Sequence, residues 1–104
     1  MQYGTSTKTQ GTDFTVKWHG GTGLFSAVVD PSGSFSGTIT LEHDVSASGE
    51  TANYVALGPE ATFTSNGQTI FTTAANTLRV NFSADINSDY YHIVVKPVNE
   101  RSAY

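Results

Sequence analysis

Gly37-Thr-Ile-Thr-Leu-Glu-His43 and Thr77-Leu-Arg-Val-Asn-Phe-Ser83 are the two stretches that decide the fold. In the first, Ile39 and Leu41 fall on one parity while Thr38, Thr40 and Glu42 fall on the other. In the second, Leu78, Val80 and Phe82 alternate with Arg79 and Asn81. Successive strand side chains point to opposite faces, so this period of two reads as a strand with one buried and one wet side. Two such half-buried strands need a common core, and the chain between them must fold back to supply it.

Working outward, Asp13-Phe-Thr-Val-Lys-Trp-His19 alternates in the same way, with Phe14, Val16 and Trp18 on one parity. Gly20-Gly-Thr-Gly23 ends that strand as a breaker cluster. No helix follows it on which a phosphate could sit, so a phosphate-loop reading has no support. Leu24 to Val29 forms the next strand, stopped by the turn sequence Asp30-Pro-Ser-Gly33. After the polar loop Asp44 to Ala52, Asn53 to Leu57 resumes extended structure and Gly58-Pro59 breaks it. Ala61 to Ser65 and Gln68 to Thr73 flank Asn66-Gly67, a dipeptide favoured in two-residue hairpin turns because both central residues need positive φ. The final strand, Tyr90 to Val98, buries Tyr91, Ile93 and Val95 and leaves Tyr90, His92 and Val94 outside. Pro97 cannot donate to a ladder, so this strand ends there or lies at an edge. The sum is an all-β, antiparallel β-sandwich of about eight short strands, with the jelly roll among its topologies. Residues 13–98 form that domain, between a flexible N-terminal arm at 1–12 and a tail at 99–104.

Composition agrees. Thr and Ser fill 26 of the 104 positions and charged residues only 13%. Helical proteins line their wet faces with Glu and Lys, whereas strands tolerate Thr and Ser there. The net charge is -4, and the five basic residues (Lys8, Lys17, Arg79, Lys96 and Arg101) are scattered. A nucleic-acid surface needs clustered Lys and Arg, so no nucleic-acid partner is expected. No apolar run approaches the length of a membrane span, and the N-terminus lacks the apolar core of a signal peptide. The absence of cysteine excludes disulfides, thiolate zinc sites and a cysteine nucleophile.

Candidate chemistry is sparse. His19, His43 and His92 read as solvent-facing residues on the polar parity of three different strands, without the close spacing of paired metal ligands. Glu42-His43-Asp44 sets acids beside a base, but neighbours on a strand face opposite ways. No elbow motif frames a serine, and the available acids lie mostly in turns. Asp85, Asn87 and Asp89 resemble the start of a calcium loop, yet Tyr90 stands where glycine should turn it and Lys96 where the closing acid should be. They are a metal candidate whose default reading is a strand connection. No cofactor is expected, nor catalysis.

Taken in order, Gly37 to His43, Tyr54-Val-Ala-Leu57, Ala61-Thr-Phe-Thr-Ser-Asn-Gly67, Thr69-Ile-Phe71, Leu78-Arg-Val80 and the closing strand resemble small β-sandwich proteins of tailed-bacteriophage virions. Those are chiefly head decoration, or cement, proteins. The likeness spans Phe14 to Val98, although the loop after His43 lacks the Asp-Gly-Gly-Thr turn associated with the pattern. It implies a non-catalytic structural role in the virion after synthesis in the host cytoplasm. It further implies binding to the major capsid protein and a homo-oligomer, with a trimer favoured. The expected interface uses the outer face of the final strand (Tyr90, His92, Val94), near an edge because of Pro97, together with chain ends carrying Tyr3 and Tyr104. The competing expectation is a carbohydrate-binding or other recognition module, such as a tail or fibre component, stacking sugars on Tyr54, Tyr90 and Tyr91.

Overall fold

A computed structural model describes residues 5–18, 20–47 and 49–98. The described chain runs through β1 (Thr5–Thr9), β2 (Phe14–Lys17), β3 (Gly21–Val29), β4 (Ile39–Asp44) and β5 (Tyr54–Ala56). A single 3-10 turn (Pro59–Ala61) then leads into β6 (Thr62–Phe63), β7 (Gly67–Thr73), β8 (Thr77–Phe82) and β9 (Tyr91–Pro97). One sheet has the order β1-β9-β3-β7 and the other β2-β8-β4-β5, with every pairing antiparallel. β5 pairs with Glu42–Asp44 and β6 with Ile39 and Thr40, so the two lie end to end along one edge of β4. Counted as one broken strand, they complete the order of an eight-stranded jelly roll. The sandwich expected from the alternation is the fold.

The core is built from the inward parities of both sheets. β3 and β9 supply Phe25, Ala27, Val29, Tyr91, Ile93 and Val95; β2, β4 and β8 supply Val16, Ile39, Leu41, Leu78, Val80 and Phe82, all buried. Register makes the layers explicit: Phe25 lies opposite Val95, Ala27 opposite Ile93, and Leu41 opposite Val80. Aromatic contacts cross between the sheets. Trp18 meets Phe71 at 5.3 Å between ring centroids, Phe25 meets Phe63 at 5.3 Å, and Phe82 meets Tyr91 at 6.2 Å. Such pairs add about 0.5–1.5 kcal/mol each beyond the area they bury. Phe14, expected in the core, packs against it only half-buried.

Three expectations need correction. The segment expected to be a free arm is a strand over Thr5–Thr9, in register with Tyr91–Val95 of β9. Its sequence, Thr-Ser-Thr-Lys-Thr, pairs through backbone groups and carries no apolar side chain, which is why no hydrophobic periodicity announces it. β9 is therefore interior, flanked by β1 and β3, and Pro97 marks its end rather than an edge. Finally, Asn66-Gly67 is no hairpin turn: no described non-glycine residue has positive φ, and β6 and β7 belong to opposite sheets. Asn66 Oδ1 instead accepts the Val29 N–H at 2.9 Å, stapling the crossover to the end of β3. Gly67 lets the chain pass close to Phe63, since a Cβ there would lie 3.1 Å from Phe63 Cε1.

Candidate functional site

At one end of the sandwich the loop after β8 meets the loop between β3 and β4, and here lie Asp85, Asn87 and Asp89. Asp89 Oδ2 accepts the Ser34 N–H at 3.0 Å and is reached by Asn87 Nδ2 at 3.2 Å. Asn87 Nδ2 also donates to the Ser34 carbonyl at 2.7 Å. Asn87 Oδ1 accepts the hydroxyl of the buried Tyr91 at 2.6 Å, and that hydroxyl in turn accepts the Ser36 N–H at 3.1 Å. Asp85 is hydrogen-bonded to Ser83 through Oδ1. The polar atoms that suggested calcium ligation thus hold two loops together and satisfy a buried phenol. No described group of three or more acids, histidines or cysteines converges as a metal shell.

The opposite end is open. A cleft of about 490 Å³ lies between the β4–β5 loop and the β7–β8 turn, lined by His43, Asp44, Ser46, Glu50, Thr73 and Asn76 among others. His43 sits on the inward parity of β4 with Ile39 and Leu41, not on the polar parity that its chemistry suggested. Its Nδ1 lies 2.7 Å from Oγ1 of Thr73, a buried residue of the facing sheet. Thr73 Oγ1 also accepts the Ala75 N–H at 3.1 Å, so one hydroxyl fixes both the histidine and the turn. Asp44 Oδ1 accepts the N–H groups of Asn53 (3.0 Å) and Ser46 (2.9 Å) and the Ser46 hydroxyl (2.7 Å). These donors, Asn53 foremost, hold its carboxyl below the ordinary range. Glu50 Oε1 accepts the Ala47 N–H at 2.8 Å. The acids lining the cleft are therefore engaged as turn acceptors, and the Thr73 hydroxyl that meets His43 is buried and also holds the Ala75 N–H.

The outer faces complete the survey. Across β4 and β8, Arg79 Nε donates to Glu42 Oε1 at 2.7 Å, and its guanidinium lies 4.5 Å from the Tyr54 ring centroid. That bond raises the Arg79 pKa, and the stacked guanidinium occupies one face of a proposed sugar platform. On the other sheet Lys8 Nζ lies 3.5 Å from Asp30 Oδ2 and 5.0 Å from the Tyr90 ring centroid. His92 Nε2 lies 3.7 Å from the same carboxylate oxygen. Tyr90 and His92 are thus exposed but gathered where β1 is tied down. Tyr91 is fully buried and cannot stack a sugar. Val94 is half-buried beside Ser26 and Ser6 on the same face. Tyr3, Tyr104 and His19 lie outside the described residues.

Sequence reasoning missed the rest of that face. Leu24 stands opposite Ile70, Val94 is the diagonal neighbour of Leu24, and Val28 the diagonal neighbour of Val94. Ile70 is 54% exposed and Val28 36%. These four residues make an apolar patch on β7, β3 and β9 around Ser26, beside Gln68 and Thr72, with Lys96 opposite Leu24 and His92 opposite Val28. The signal was present: each sits on the parity opposite to Phe25, Phe71 or Ile93, where a polar residue is expected. Comparison with protein-family models and with curated proteins found no match.

Proposed function

We propose that this protein is a non-catalytic structural component of a bacteriophage virion, a decoration or cement protein that binds the major capsid protein of the head. The observation that carries the reading is the outer face of the β1-β9-β3-β7 sheet. Its apolar residues Val28, Val94, Leu24 and Ile70 lie beside Ser26, Gln68 and Thr72, with Lys96 opposite Leu24 and His92 opposite Val28. The β3 and β7 part of the face, whose strands carry no charged side chain, loses little hydration on burial against a partner. The jelly roll is compatible with that role, being shared by capsid and lectin domains. The candidate chemical groups support it too, since they are engaged in loop closure rather than aimed at one point. Fold alone fixes no function; the likeness of Phe14 to Val98 to head decoration proteins supplies the rest. Cosedimentation with empty heads of the phage that encodes the protein tests the proposal. Saturable retention lost in Leu24→Lys supports it, and absence of retention overturns it.

A second reading rests on the open-end cleft, where His43 and the carboxylate oxygens of Asp44 and Glu50 that the turn bonds do not use can meet a neutral saccharide. Its volume of about 490 Å³ falls in the range of clefts that take small ligands. Retention on immobilised glycans, abolished by His43→Ala, would favour it over capsid binding.

A further inference from the structure

We propose that the free edge of β7 is an interface through which two copies of this chain pair antiparallel, joining their four-stranded sheets into one of eight strands. Sheet edges expose unpaired N–H and C=O groups, and proteins that stay single shorten them, charge them or break them with proline. The other edges of this sandwich follow that practice. β1 is five residues long and carries Lys8, β2 is four and carries Lys17, and β5 and β6 are three and two. β7 does not. It runs seven residues, Gly67-Gln-Thr-Ile-Phe-Thr-Thr73, without a charge or a proline, and β3 is its sole strand partner among the described residues.

The sequence of β7 is also complementary to itself. Antiparallel pairing centred on Ile70 sets Gln68 opposite Thr72 of the second copy on the outer face, where amide and hydroxyl can bond. Ile70 meets its own counterpart on the two-fold axis. Each Ile70 already lies opposite Leu24 within its own sheet, so the pairing creates a continuous apolar row of Leu24, Ile70, Ile70 and Leu24. Cross-strand apolar pairs are the stabilising unit of a sheet, and this one covers the most exposed large hydrophobic side chain described, at 54%. An isologous contact closes after two subunits. The inference therefore replaces the trimer implied by the family resemblance with a dimer. It does not rest on the capsid reading: a dimer that ignores capsids keeps it and overturns that reading, and a capsid-bound monomer does the reverse.

The full chain is measured by light scattering at micromolar and higher concentration. The expected mass is twice the 11.1 kDa of one chain. Ile70→Lys brings two like charges together on the axis and should weaken the dimer by roughly a hundredfold or more without loss of β content. The protein has no cysteine, which allows a second readout independent of that variant's folding. Ile70→Cys should form an intermolecular disulfide on mild oxidation, because facing residues of antiparallel strands lie within bridging distance. Val28→Cys, on the same face but on an inner strand, should not. A monomeric wild type, a mass of three chains, a dimer indifferent to Ile70→Lys, or equal crosslinking of the two cysteine variants overturns the inference.

Discussion

Gly23→Ala is expected to be among the most damaging single-methyl additions in this protein. Gly23 lies within β3, and Trp18 and Phe71 close over it from opposite sheets. A Cβ at this position would stand 2.6 Å from both Cη2 and Cζ2 of Trp18 and 2.7 Å from Cζ of Phe71. Carbon atoms pack best at about 3.5–4.0 Å, so three ring atoms must retreat by roughly 1 Å in a core without slack. Overpacking of this kind costs about 1–3 kcal/mol, and simultaneous clash with two buried rings puts the expectation near the top, at about 3 kcal/mol. The backbone change works the other way, since alanine in a strand interior is favoured over glycine by about 0.5–1 kcal/mol. The net is about 2 kcal/mol, or a fall in Tm of about 8–16 °C for a domain of this size. Thermal and denaturant unfolding followed by circular dichroism gives the number. In a Trp18→Phe background the indole atoms in the clash are gone, while Phe71 remains. The cost of Gly23→Ala should then drop to about 1 kcal/mol, a coupling that a double-mutant cycle resolves. The indole N–H has no hydrogen-bond partner among the described residues, so Trp18→Phe sacrifices packing but no described bond. Gly23→Ala within 0.5 kcal/mol of wild type, or a cost unchanged by Trp18→Phe, would refute the packing described for this end of the sandwich.

Other outcomes follow from the loops. Asp30 is held down to about 2, first by the Ser32 N–H and then by the Ser32 hydroxyl and Lys8. A carboxyl whose folded pKa is depressed adds stability above its unfolded value of 3.8, and that contribution is lost as pH falls toward about 2. Asp30→Asn should therefore flatten the acid limb of the stability curve within that window, as read by unfolding at a series of pH values; an unchanged limb contradicts the turn. Asp89→Ala removes the acceptor for Ser34 N–H and should cost about 1–2 kcal/mol, equally with calcium and with chelator. A rise in Tm with calcium that Asp89→Ala abolishes would make the loop a cation site instead.

Much of this fold is legible in the sequence, for a physical reason. β4 and β8 carry strict apolar alternation, and β9 the same pattern broken by Val94, because each has one face on the core, and Ile39, Leu41, Leu78, Val80, Ile93 and Val95 are buried as that pattern requires. β1 is illegible because Thr5 to Thr9 pairs through its backbone and contributes no large apolar side chain. Asn66-Gly67 misleads because the same dipeptide that suits positive φ also suits a side-chain staple followed by a close ring contact, and only the tertiary structure distinguishes them. His43 misleads because polarity suggested the wet face, whereas its register with Leu41 puts it inside, against Thr73. The open-end cleft is formed by two loops far apart in sequence and has no local signature. The apolar patch was readable from Leu24, Val28, Ile70 and Val94, once parity is applied to exceptions as well as to the core.

In the role proposed above, this domain binds a capsid lattice and strengthens it. Calorimetry of empty heads, with and without saturating protein, tests this most directly. A ligand that binds only the intact lattice must raise its transition temperature. The account predicts an upward shift that saturates at a fixed number of copies per head and disappears with Leu24→Lys. A transition that stays in place at saturating protein would contradict it.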